Sequence, residues 1–233
     1  MTETVRLTTA IDERNDRFTS RVKAQLRDLS GLSDVALEWL MLEHFQFSVS
    51  NPGFLAAAAT TTERLANRGV SAELRRNFQE ESGHAAIYRK GLAEIGSDVA
   101  RRVEFTPTTE FLDTIGRLTT AGASTALGAL YATETAAIFE HEVFWAISRE
   151  VCARRGYDWE PSTIKAFHDM HLDGVEQSHK DELGVFVDPS PTEPTGGGEG
   201  GPVDRAEVLA GAEQAIDAMT TWWNKLLAHA ATT

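Results

Sequence analysis

One cysteine, Cys152, is present in 233 residues, so no intrachain disulfide can form and the fold must stand on its core. Basic residues are scarce: 22 Lys and Arg against 35 Asp and Glu leave a formal charge of -13. That balance argues against nucleic acid or an anionic membrane as partner, because both select a basic surface. No uninterrupted apolar run approaches the roughly 20 residues of a membrane span. The first ten residues lack the apolar centre of a signal peptide. A soluble, cytoplasmic protein in a reducing compartment is the expectation. Alternating strand patterns and long internal repeats are also missing.

Helical signals fill most of what remains, and 42% hydrophobic residues can supply one sizeable core. Phe18, Val22 and Leu26 mark a first helix that ends near Gly31. Ser33 is placed to cap a second, apolar helix through Ser48. Asn51-Pro-Gly53 is expected to break it, with a third helix over 54–67. Ser71 is read as the cap of one long helix over 71–95. Thr106-Pro-Thr-Thr109 opens a helix to Thr120, and Gly122 opens another to about Ala153. Pro161 is assigned to the first turn of a helix carrying Phe167 to Leu183. Residues 188–202, rich in Pro and Gly, are expected to be a flexible surface loop, either a passive connection or a lid. A last helix, 203 to about 229, carries Trp222 and Trp223. The fold expected is all-α: a single compact bundle of seven to eight helices forming one domain over 1–233.

Chemistry concentrates in three of these helices. Glu81-Ser-Gly-His84 places a carboxylate and an imidazole three residues apart, on one helical face. The spacing alone also occurs on solvated faces, but Phe78, Gly83, Ala85, Ala86 and Ile87 make this face apolar. Gly83 is expected to admit a close helix–helix approach. Glu134 stands among small and apolar residues from Leu127 to Phe139, where a carboxylate is costly to bury unless paired with an arginine or bound to metal. Glu140, His141 and Glu142 are read as the solvent side of that helix, with Glu140 a reserve ligand. A second Glu-x-x-His follows at Glu176-Gln-Ser-His179.

On a regular helix His171 and Glu176 lie about 140° apart, too far for one site. One extra residue accommodated as a π-bulge near Gly174 brings His171, Glu176 and His179 to one face. Without a bulge, His168 takes the place of His171. Asp173 is expected to be solvated, and Cys152 to be core. Three carboxylates and three imidazoles without a thiolate suit iron or manganese. The sequence therefore points to Glu81, His84, Glu134, His171, Glu176 and His179 as metal ligands. Glu81, His84, Glu134 and His179 form the catalytic core of that set.

The run from Asn77 to Gly96, with Glu43-His-Phe-Gln-Phe-Ser48 and Asn51-Pro-Gly-Phe-Leu55, resembles the haem-oxygenase-like di-iron oxidases and oxygenases. The resemblance covers most of residues 33–183. It implies a bundle of about seven helices, two labile iron ions and dioxygen as cosubstrate. Substrates in that family are amino acids, amines and fatty acids. It further implies that Glu81, His84 and His179 hold one iron and Glu134, His171 and Glu176 the other. The family's last helix usually shows His, Asp four residues on and His three further; here the first interval is five and Glu176 replaces Asp.

A rival carry-over, from ferritin-like di-iron bundles, makes Glu43 a ligand and omits His171. A metal-independent enzyme of the same helical fold, TenA- or PqqC-like, is a third reading, and a non-catalytic helical module a fourth. Phe45, Phe47, Tyr88, Tyr131 and Phe139 are candidate substrate-pocket residues. The substrate expected is a small molecule, an amino acid or amine ahead of a fatty acid. A homodimer through the Trp222-Trp223 face is also expected.

Overall fold

The computed structural model describes residues 6–188 and 200–233. Most of the expected loop over 188–202 therefore lies outside the described residues. Helix α1 spans Leu7–Gln25 and α2 Asp34–Thr62; α3 is Gly69–Glu81 and α4 His84–Glu94; α5 is Thr106–Ala121 and α6 Ala123–Arg155; α7 is Thr163–Met170, α8 Glu176–Val187 and α9 Arg205–Ala230. Since α3–α4 and α7–α8 are each one helix interrupted by a turn, the described residues form seven long rods. No strand is present among the described residues, only an isolated bridge between Leu65 and Gly201.

Helix α6 is the axis. Leu127, Ala129, Leu130, Phe144 and Ile147 on several of its faces are fully buried, as expected of a helix surrounded by others. It packs against α1, α2, α5, α7, α8 and α9. Gly156, at φ 74°, ends it in the left-handed conformation that glycine adopts without strain. Where α6 crosses α9 the backbones meet: a Cβ on Gly128 would collide with the Val208 carbonyl, and one on Gly211 with the Thr125 carbonyl. Neither obstacle is a side chain that can swing away. Gly128→Ala is expected to cost about 3 kcal/mol, the upper end of overpacking penalties, read as a lower urea midpoint at unchanged slope.

Several local expectations are corrected. Helix α2 runs through Pro52 without a break. The lost N–H costs about 3 kcal/mol, and burial of Phe47, Phe54, Leu55 and Ala58 on either side offsets it. Ser33 does cap α2, accepting from the Ala36 N–H at 3.0 Å. Ser71 does not cap α3; it is buried inside that helix, whose N-cap is Arg68. Pro161 precedes the cap Ser162 instead of sitting in the first turn of α7. The continuous helix expected over 71–95 is interrupted at Ser82 and Gly83. A Cβ on Gly83 would meet nothing within 4 Å, so this glycine serves no close helix packing.

Trp222 and Trp223 are 1% and 0% exposed and face their own chain. Their indole N–H groups donate to Thr108 Oγ1 and Glu140 Oε1, each at 2.9 Å, so both indoles pack within their own chain.

Candidate metal centre

Interrupted helices shape the site. Between α7 and α8, residues His171–Val175 form a π-turn, with Gly174 at φ 107°. No side chain crowds that position, so the backbone angle alone favours glycine there. The extra residue turns His171, Glu176 and His179 inward, all buried, and leaves Asp173 exposed. Opposite them, the turn at Ser82-Gly83 puts Glu81 at the end of α3 and His84 at the start of α4. Glu134 enters from the middle of α6.

The six side chains meet. His84 Nδ1 lies 3.0 Å from Glu81 Oε2 and 3.1 Å from His171 Nε2. His179 Nδ1 lies 3.6 Å from Glu134 Oε2 and 4.0 Å from Glu176 Oε2. Glu176 Oε1 is 3.8 Å from His171 Nε2 and bridges the two sides. His171 stands beside His84, and His179 beside Glu134 and Glu176, while Glu81, Glu176 and His179 also form one close group. The π-turn lies between the two imidazoles.

Outer contacts orient the rings. His171 Nδ1 donates to the Phe167 carbonyl at 2.7 Å, leaving Nε2 as an acceptor that faces the cluster, 3.1 Å from His84 Nδ1. His179 Nε2 donates to Glu80 Oε2 at 2.8 Å, which aims Nδ1 inward. Glu80 is itself held by Arg76, which also reaches Glu73 and, across to α8, Glu182. Glu80→Gln keeps the shape but removes the charge behind His179. It is expected to weaken metal binding about 10–100-fold with little change in stability, read by anaerobic titration beside thermal melts.

Two observations test whether a cation fits. Glu81 Oε1 and His179 Nδ1 are buried and lack a hydrogen-bond partner, and both belong to ligand groups whose atoms lie within 4.8 Å of one another. Buried polar atoms are rarely left so. The charge balance agrees. Burial and the nearby carboxylates of Glu134 and Glu81 push Glu176 well above the ordinary carboxylate range. Burial disfavours charge on His179, but Glu134, Glu80 and Glu176 outweigh it and raise its pKa to about 10. Burial likewise acts against the Glu81 carboxylate, yet His84, His171 and His179 bring it below its usual value. Such a set draws in positive charge, whether as protons or as metal ions.

The cavity beside the cluster has a volume of about 20 Å3. Phe47, Phe167 and Ala137 form apolar wall, and Ser48, Asn51 and Thr133 are polar. Of the pocket candidates only Phe47 lines it; Phe45, Tyr88, Tyr131 and Phe139 are core.

Glu43 is buried, but Arg102 Nε and Nη2 donate to its two oxygens at 2.8 Å each and Thr108 donates to Oε2 at 2.5 Å. That fork satisfies the carboxylate away from the cluster, against the ferritin-like order. Glu43→Gln is expected to lower stability by about 3 kcal/mol, because it leaves Arg102 poorly paired, while metal stoichiometry stays unchanged. His168 is buried behind the cluster and bonds His141 and Ser148. Cys152 is core, as expected.

Sequence reasoning missed the second layer. Glu140 and His141 are 3% and 6% exposed, not the solvent side of α6; only Glu142 is exposed. The signal was available: His141 follows Glu134 by seven residues, two helical turns, and so shares its face. His44 is also there, 3.8 Å from Glu140 Oε2, and burial lowers its pKa to about 3. Burial pushes Glu140 up to about 7.

No protein-family model matches the chain, and no curated protein does. Solved structures do match. A CADD-like protein of unknown function from Nostoc punctiforme is 22% identical, with a TM-score of 0.76 over 96% of this chain and 94% of that one. A TenA homologue from Pseudomonas syringae pv. tomato is 14% identical, with a TM-score of 0.68 over 95% and 91%. A domain of unknown function with a haem-oxygenase-like fold, from Shewanella denitrificans, is 14% identical, with a TM-score of 0.71 over 95% and 92%. At these identities the likeness concerns architecture, and the fold of this chain is haem-oxygenase-like.

Proposed function

We propose that this protein is a non-haem, di-iron oxidase or oxygenase that uses dioxygen on a small polar substrate. The observation that carries the reading is the convergence of three buried carboxylates and three imidazoles from four helices and the π-turn, with Glu81 Oε1 and His179 Nδ1 unpartnered among them. Glu81, His84 and His171 would hold one ion, and Glu134, Glu176 and His179 the other. Hard oxygen donors with imidazole nitrogen favour iron, with manganese as the near alternative. Bound iron supplies electrons and open positions for dioxygen, which side chains alone do not.

The chain's own groups set the conditions. The Phe167 carbonyl and Glu80 keep protons on the outer nitrogens of His171 and His179, so the inner nitrogens stay available. Phe47 and Phe167 give the cavity an apolar wall. Half-buried Ser48 and Asn51 give it a polar side, which favours a polar group over an aliphatic chain. Glu140, with a pKa near 7 and Oε1 fixed by Trp223, can hold or release a proton at Oε2 on the cavity wall.

A metal-independent reading through a nucleophile is weakened because Cys152 is buried in core and does not line the cavity. The test is anaerobic ferrous titration, then oxygen. Two irons per chain, a transient visible band and oxygen uptake accelerated by one class of small amine or amino acid are expected. Absence of iron uptake by the folded protein would refute the proposal. No helix among the described residues is long and apolar enough to cross a membrane.

A further inference from the structure

Behind the six ligands lies an imidazole that the proposed centre has not used. His141 Nε2 faces the cluster, 3.7 Å from Glu176 Oε1, which is too far for a hydrogen bond and close enough to share an ion. Its other nitrogen, Nδ1, is 3.2 Å from His168 Nδ1. Two neutral rings in that contact need one N–H between them, and the chain of bonds beyond decides which ring supplies it. Ser148 Oγ lies 3.3 Å from His168 Nε2 and 3.4 Å from Met41 Sδ. When His168 Nε2 donates to Ser148, His168 Nδ1 accepts from His141 Nδ1 and His141 Nε2 is left as a lone pair directed at the cluster.

The rings of His141 and His171 are stacked, 3.8 Å between centroids and 11° from parallel. A ligating lone pair lies in the ring plane, about 2 Å from the ion. Two parallel planes this far apart cannot both contain one ion, so the rings would serve neighbouring ions. Dinuclear centres separate their ions by about 3.5–4 Å, which matches the stack.

We infer that His141 is a seventh protein ligand, binding through Nε2 to an ion that Glu176 also holds. His168 fixes its tautomer through the chain that ends at Ser148. The inference rests on the proposed dinuclear centre, and it predicts four ligating imidazoles where the six-residue set has three.

Cobalt(II) loaded anaerobically into the full chain tests it without catalysis. Each ligating imidazole carries one solvent-exchangeable N–H on its other nitrogen, shifted far outside the normal proton range. Wild type is expected to bind two cobalt ions and to show four such signals, for His84, His141, His171 and His179. His141→Gln, which keeps a polar group of similar size, is expected to lose one signal and to bind its weaker ion at least about 10-fold less tightly. Three signals in cobalt-loaded wild type would overturn the His141 assignment while leaving the centre intact. No cobalt uptake by folded wild type would overturn the centre itself, and the assignment with it.

Discussion

Glu176→Gln is expected to remove metal binding while making the metal-free protein relatively more stable as pH rises. Glu176 is the group the two halves of the cluster share, within 4.0 Å of His141, His171 and His179. Losing its charge leaves an ion facing an amide where a carboxylate stood, a loss of about 3–5 kcal/mol or roughly 10²–10⁴-fold in affinity. The metal-free state responds in the other direction. Burial, Glu134 and Glu81 raise the Glu176 pKa in the folded chain well above its unfolded value. Between those two values the folded state binds more protons than the unfolded one. Wild-type stability is therefore lost as pH rises through that window. Glutamine imitates the protonated acid and titrates nowhere. Metal-free wild type and variant should unfold at similar urea concentrations near pH 5, and the variant should need more urea at pH 8. Parallel midpoints across that range would show that Glu176 is not crowded by carboxylates as described.

Adding two equivalents of ferrous or manganous ion should raise the melting temperature of the metal-free protein by roughly 10–20 °C. An ion at 100 times its dissociation constant adds about 2.7 kcal/mol to folding, and a domain of this size gains about 2–4 °C per kcal/mol. The effect should be large here because the ions would replace strained arrangements: an unpartnered Glu81 oxygen, and an imidazolium at His179 wedged among carboxylates. His84→Ala removes a ligand from one side only and should roughly halve the gain while helicity is retained. Acid should cancel it altogether, because ligands must be deprotonated to bind. A metal-independent shift, or full metal occupancy in His84→Ala, would exclude His84 from the centre.

Both results bear on why the cluster can exist at all. Acidic side chains this close are costly inside a core, and the bundle must hold them in place by other means. The Glu43–Arg102 fork, the Trp223–Glu140 bond and the crossing of α6 with α9 provide that support outside the cluster. The site is thereby preorganised on helices, not on mobile loops.

The sequence by itself determined that the chain is helical, it pointed to Glu81, His84, Glu134, Glu176 and His179 as residues that converge, and it showed that a bulge near Gly174 is needed for His171 to join them. Periodicity carries that information because residues on one helix face recur at fixed intervals, and a glycine in a mismatched interval marks where the interval changes. Only the tertiary structure decided which imidazole stands with which carboxylate. It also showed that Pro52 bends no chain into two helices, that Glu43 is spent on Arg102, and that His141 faces inward. Those outcomes depend on the angles and distances between helices. A pattern along one helix states which residues share a side, but the neighbour packed against that side is set by the core as a whole.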